Sequence, residues 1–147
     1  MKKFFIAAVL AVAVGSSAFA ADANKLNNKI RNNFDAQFAN ARNIEWVVRE
    51  TYTKFSFTLA EQQVEAFYSL DGDLIATSRK MDFSKLPLGA VQKIKKQYEG
   101  YKVEETIEFD QDGDRSYYVQ LDNAGRKKIL QVSLYGEVST FSGTFKK

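Results

Sequence analysis

Cysteine and histidine are both absent from the 147 residues, and proline and tryptophan occur once each. Without cysteine the chain has no disulfide, no thiolate nucleophile and no thiolate metal site, and it cannot carry a lipid on an N-terminal cysteine. Without histidine there is no Ser-His-Asp or Cys-His machinery, and with both missing a typical zinc site is excluded. Ser-x-x-Lys, a Walker loop and the dinucleotide glycine fingerprint are missing too. An enzyme built on this chain would have to work with carboxylates, tyrosines or lysines. A glycosidase-like carboxylate pair is formally open, but the acids are scattered along strand edges and turns, as solubility requires.

Apolar residues form one long uninterrupted run, residues 4–14. Lys2 and Lys3 precede it, and Gly15, Ser16 and Ser17 loosen the chain before Ala18-Phe19-Ala20. A basic start, a short apolar stretch and small residues at the cleavage positions predict a secretory signal over residues 1–20, cut between Ala20 and Ala21. The run falls well short of the roughly 20 residues that span a bilayer, so no membrane anchor is expected after cleavage. The expected location is periplasmic or secreted. Such a compartment permits disulfides, and the mature chain, residues 21–147, must be stabilised by packing instead. That length suits one domain burying about two-thirds of its unfolded surface.

Loss of the signal also removes Lys2 and Lys3, so 21 basic residues become 19 against 18 acids, a net charge of +1. The clusters Lys93, Lys95, Lys96 and Arg126, Lys127, Lys128 have acidic neighbours in sequence. They are expected to be solvated faces, and no nucleic-acid partner is expected.

Leu26, Ile30, Phe34, Phe38 and Ala41 recur at helical spacing and predict a one-faced helix over residues 24–41, ended by Asn43. A second helix is predicted from Pro87, with Val91, Ile94 and Tyr98 as its stripe and Gly100 as its stop. Alternating patterns predict strands at 44–48, 54–59, 64–70 and 74–78 after the first helix. After the second they predict 103–109, 116–121, 129–134 and 138–141. The two sets align: residues 69–74 lie against 133–138, and Phe55, Phe57 and Leu59 against Tyr117, Val119 and Leu121. The expected fold class is therefore α+β, a tandem repeat of one helix plus a four-stranded antiparallel meander, with repeats at about 24–80 and 84–145. Trp46, Phe55, Phe57, Tyr68, Leu70, Val119, Val132 and Leu134 are expected to face the helices.

The pattern Phe34…Phe38…Ile44-Glu45-Trp46, Phe55-Ser56-Phe57, Glu65-Ala66-Phe67-Tyr68 and Asp71-Gly72 resembles the PepSY-like, β-lactamase-inhibitor-like proteins exported by Bacteroidota. So do Leu86-Pro87, Tyr98-Glu99-Gly100-Tyr101, Tyr117-Tyr118-Val119 and Gly136. The resemblance covers most of the mature chain and implies a β-lactamase-inhibitor-like fold of two helix-plus-sheet repeats and a small periplasmic protein without known catalytic residues. The chain departs from it at Phe38-Ala39, where the family places proline after the aromatic. β-Lactamase inhibitory proteins are disulfide-bonded, and no inhibitory loop residue of theirs matches here, so inhibition does not carry over.

Asp110-Gln111-Asp112-Gly113-Asp114 opens like a calcium loop. An EF-hand would next need glycine at its sixth position and glutamate at its twelfth. Those places hold Arg115 and Leu121, while aspartate and glycine also suit a tight hairpin turn. The leading expectation is a non-enzymatic periplasmic binding module, without a cofactor. Its expected protein partner would meet Phe67, Tyr118, Ile129 and Phe141 on a sheet face left open by the helices. The alternative is a calcium-responsive protein holding the ion through Asp110, Asp112 and Asp114; some members of the resembling family are calcium-regulated. For the export signal, the intact mass of protein recovered from the periplasm should be that of residues 21–147; a retained N-terminus overturns the reading.

Overall fold

A computed structural model describes residues 26–142; the expected signal and its Ala20–Ala21 junction lie outside the described residues. The elements are α1 (Asn28–Gln37), β1 (Arg42–Val48), β2 (Thr53–Leu59), β3 (Gln62–Tyr68), β4 (Leu74–Lys80), a 3₁₀ turn (Phe83–Lys85), α2 (Leu88–Gln97), β5 (Lys102–Gln111), β6 (Asp114–Asn123), β7 (Arg126–Ser133) and β8 (Val138–Thr140). All eight strands form one antiparallel sheet in chain order. The expectation of separate four-stranded sheets is corrected at one place: β4 pairs with β5, Thr77 opposite Asp110 through Lys80 opposite Ile107. No described helix is long and apolar enough to cross a membrane.

Each helix is brief because its apolar stripe is brief. In α1 only Ile30 and Phe34 are buried, and the Asn27 side chain caps its start by accepting from the Lys29 N–H at 2.8 Å. The helix stops at Gln37, before the expected Asn43, which instead sits in β1 with φ +51 at an irregularity between Arg42 and Glu45. Pro87 stands at the N-cap of α2, whose inward residues are Ala90, Val91 and Ile94.

The helices cover one face of the sheet and build two cores there. Against α1 pack Phe55, Phe57, Ala66 and Tyr68, with Trp46 partly buried at the rim. Phe34 stacks on Phe55, ring centres 4.1 Å apart, and meets Phe57 edge-on at 5.1 Å. Against α2 pack Tyr117, Val119, Leu121, Leu130 and Val132. Leu70 and Leu134, expected inside, are half-exposed, because β3 ends at Tyr68 and β7 at Ser133. Both leucines fall in turns, where strand alternation no longer applies.

Those turns are bonded alike. Ser69 and Ser133 N–H groups donate to the Asp73 and Glu137 carbonyls, and Gly72 and Gly136 N–H groups donate back to the serine carbonyls. Gly136 takes φ +86, which disfavours any side chain, and a Cβ there would lie a tight 3.1 Å from Pro87 Cβ. The β2–β3 turn is different, since Ala60 and Glu61 both take positive φ, +48 and +63, without a glycine.

Phe57→Ala should cost about 3–5 kcal/mol in denaturant unfolding, the range for a buried aromatic. Leu70→Ala should cost less than about 1 kcal/mol, as expected for a half-exposed side chain in a turn. Equal losses would contradict this division between core and turn.

Candidate recognition surfaces

The face opposite the helices is not an open apolar surface. Register places Phe67 opposite Ala76, and Ile107 opposite Tyr118. These four and Phe109 form a third buried cluster, with Tyr52, Ile75, Ile129 and Phe141 partly buried around it. Phe67 and Tyr118 are about as inaccessible as the helix-side core, at 0% and 1% exposure. The expectation that they meet a partner directly is corrected: Tyr118 packs edge-on against Phe109 and Phe141, and Tyr52 covers Phe67. Of the expected contact residues only Ile129 and Phe141 remain partly accessible.

Polar groups on this face are also occupied. Lys54 Nζ lies 2.8 Å from Glu65 Oε1, and its side chain is only 7% exposed. Ser56 donates to Glu65 Oε1 at 3.5 Å and Ser78 to Oε2 at 3.3 Å. Removing the lysine would leave a carboxylate with two weak hydroxyl donors, so the pair fixes the register of β2 on β3. Burial pushes the Tyr118 phenol up to about 12; Asp114 raises it further, and Ser116 and Gln131 ease the shift. Neither of those two meets hydrogen-bond geometry, and among the described residues the buried Tyr118 hydroxyl has no partner. Burial likewise raises Tyr68 to about 12, its hydroxyl donating to Gln37 Oε1.

On the helix side, α1 and α2 leave the β4–β5 seam uncovered. A shallow pocket of about 190 Å³ lies there, lined by Val64, Thr77, Ser78, Arg79, Glu108, Asp110 and Arg115. Arg79 Nη2 lies 3.0 Å from Glu108 Oε1, Arg115 Nε 3.6 Å from the same oxygen, and Arg115 Nη2 3.4 Å from Asp110 Oδ2. Each carboxylate is matched by an arginine, which suits a solvated seam better than general acid–base work. Sequence patterning missed this chain of charges because its members come from three strands.

The aspartates of the expected calcium loop, Asp110, Asp112 and Asp114, lie at this seam and its hairpin. Asp110 Oδ1 accepts the Gly113 N–H at 3.1 Å, its other oxygen faces Arg115, and Asp112 takes φ +54 in the turn. The aspartates serve a hairpin. Among the described residues no three acidic, histidine or cysteine side chains are gathered for a metal ion.

Among the described residues Ile44, Val48 and Leu70 are exposed on the first half, and three further exposed large apolar side chains belong to the second half. Tyr135 is 90% exposed, Leu88 72% and Leu134 51%. Leu134 and Tyr135 lie in the β7–β8 turn, and Leu88 opens α2, next to the Pro87 on which Gly136 of that turn packs. Ser133 Oγ accepts from the Tyr135 and Glu137 N–H groups, which holds the tip. Two large apolar residues in a turn whose other positions are polar were the available sequence signal, obscured by extending the strand through Leu134.

No family model and no curated protein matches the sequence. Solved structures do match the fold. A BLIP-like protein from Bacteroides fragilis superposes with a TM-score of 0.68 at 14% identity, over 80% of this chain and 87% of that one. A DUF2874 family protein from Bacteroides uniformis gives 0.71 at 12% identity, over 77% and 86%. A protein from Bacteroides eggerthii provisionally described as periplasmic gives 0.71 at 11%, over 78% and 88%. The chain thus has the α+β fold of BLIP-like proteins, two helices on one face of an eight-stranded antiparallel sheet.

Tyr68 and Tyr118 make stability depend on alkaline pH. Their folded values lie above the ordinary 10, so the folded state holds its protons more tightly. Their contribution should be complete below pH 10 and be lost as pH rises towards 12. Phenolate absorbance should show a late titration step coupled to unfolding that disappears in Tyr68→Phe with Tyr118→Phe; a double variant that keeps the step would contradict it.

Proposed function

We propose that this chain is a non-enzymatic periplasmic binding module that recognises a protein partner through the corner formed by Leu88, Leu134 and Tyr135. The observation that carries the reading is the 90% exposure of Tyr135 beside two exposed leucines, on a turn braced by its own hydrogen bonds and by Pro87. Large apolar side chains grouped at one exposed site are the mark of an interaction surface, and a tyrosine on a braced backbone has only its two χ angles to order on binding. The non-enzymatic part is supported by the missing histidine and cysteine and by carboxylates matched to arginines at the seam.

The fold shared with a BLIP-like protein supports a binding role, and the neighbour provisionally described as periplasmic supports the compartment. We infer also that the two halves are one unit written twice: the turns at Gly72 and Gly136 carry the same hydrogen bonds and each approaches its own helix. On this view the second copy acquired the recognition tip by placing Leu134-Tyr135 where the first has Leu70-Asp71.

Leu134→Ser with Tyr135→Ser should leave the thermal melt within a few degrees of the parent, as both side chains are largely solvated. Pull-down from periplasmic extract should lose the parent's partners. A folded double variant that retains every one of them sinks the proposal. Phe67→Ser, by contrast, should unfold the protein, because that side chain is core.

A further inference from the structure

The two lysine-rich segments, 30 residues apart in sequence, meet in the folded chain. Lys128 Nζ lies 6.0 Å from the centre of the Tyr98 ring at the end of α2. Gly100, just beyond that helix, faces Asn123 of the β6–β7 turn, 3.9 Å from the position of a Cβ. Lys93, Lys95 and Lys96 on α2 and Arg126 and Lys128 on β7 therefore share one end of the molecule, while Lys127 faces away from α2, opposite Asp122; all six are exposed. As expected, the clusters are solvated, but their acidic neighbours in sequence do not pair with them. Among the described residues none of the six forms an ion pair, whereas Arg31, Lys54, Arg79, Lys80, Lys102 and Arg115 all do.

Nearby acids are few and partly occupied. Glu104 pairs with Lys102 at 3.5 Å, and Asp122 accepts the Gly125 N–H at 3.0 Å and lies opposite Lys127, so Asp122 and Glu99 are set against the cations of that end. Outside the described span the sequence holds a single further acid, Asp22. Lys95 and Lys96 also complement the C-terminal dipole of α2, but Arg126, Lys127 and Lys128 serve no helix. Self-repulsion among these cations costs stability, and an anionic partner would relieve it.

We propose that this end of the molecule docks an acidic protein segment, with the Tyr98 and Tyr101 rings, edge to face at 5.8 Å, as its apolar floor. The proposal rests on the protein-binding reading above and supplies the partner's charge. Register puts Arg126 and Lys128 on the helix side with α2, opposite Asn123 and Leu121, so cations from the helix and the sheet flank the rings together. An extended acidic segment can meet both rows of cations at once.

The test uses a fluorescein-labelled peptide of alternating glutamate and aspartate, followed by fluorescence anisotropy against the full mature protein. Binding should weaken steeply between low and physiological salt, since it is electrostatic. Lys95→Glu with Lys96→Glu, and separately Arg126→Glu with Lys128→Glu, should each reduce affinity by about tenfold or more. The milder Lys95→Gln with Lys96→Gln variant guards against a charge-reversed protein that fails to fold, and should give a smaller loss in the same direction. Leu134→Ser with Tyr135→Ser should not change peptide binding, so failure of the corner and failure of the basic end are separable. Binding to phosphatidylglycerol vesicles but not to the peptide, or peptide binding indifferent to all the charge variants, overturns the proposal.

Discussion

The hydrogen-bonded pairing of β4 with β5 is the constraint on which the rest of the molecule depends. Four residue pairs, from Thr77–Asp110 to Lys80–Ile107, join what would otherwise be two small helix-on-sheet units. Each unit alone has a helix burying only two or three side chains, too little for a domain of that size. Pairing extends the sheet across the seam, and the third cluster then draws on both halves, with Phe67 and Ala76 from one and Ile107, Phe109 and Tyr118 from the other. That shared core couples the halves in addition to the ladder.

The seam also explains how polarity is distributed. Neither helix covers the paired stretch of β4 and β5, so its helix-side positions carry the ion-paired Arg79, Glu108, Asp110 and Arg115 instead of apolar groups. The opposite side of the same strands is buried and carries Ala76, Ile107 and Phe109. Ion-paired charge on one side and apolar burial on the other follow from where two short helices stop.

Much of this was legible in the sequence. Helical spacing located both helices, and strict alternation in Lys54-Phe55-Ser56-Phe57 fixed which side met α1. Errors arose where a pattern continued past its physical cause. Leu70 and Leu134 extend an apolar alternation by one step, yet the chain has already turned at Ser69 and Ser133. The opposite face was read as open because alternation reports only that two sides exist. Whether the second side is covered depends on contacts such as Tyr52 on Phe67 and Phe141 on Tyr118, which join residues distant in sequence. The basic end was equally invisible, since its two segments meet only through the packing of α2 on β6 and β7.

The turns make the two halves unequal in what holds their hairpins closed. Asp112-Gly113 and Ala124-Gly125 each place a glycine second in a positive-φ pair, so the β5–β6 and β6–β7 hairpins close around backbone geometry that local sequence already favours. Ala60-Glu61 adopts the same left-handed geometry with two ordinary side chains, at a cost of about 1 kcal/mol or more for each. The β2–β3 hairpin must therefore be held by its strands, through Phe55 on Ala66, Lys54 on Glu65 and the rings of α1, before its turn can persist. Closure of the first half thus leans on strand and helix contacts, whereas the second half has a glycine in each of its β5–β6 and β6–β7 turns.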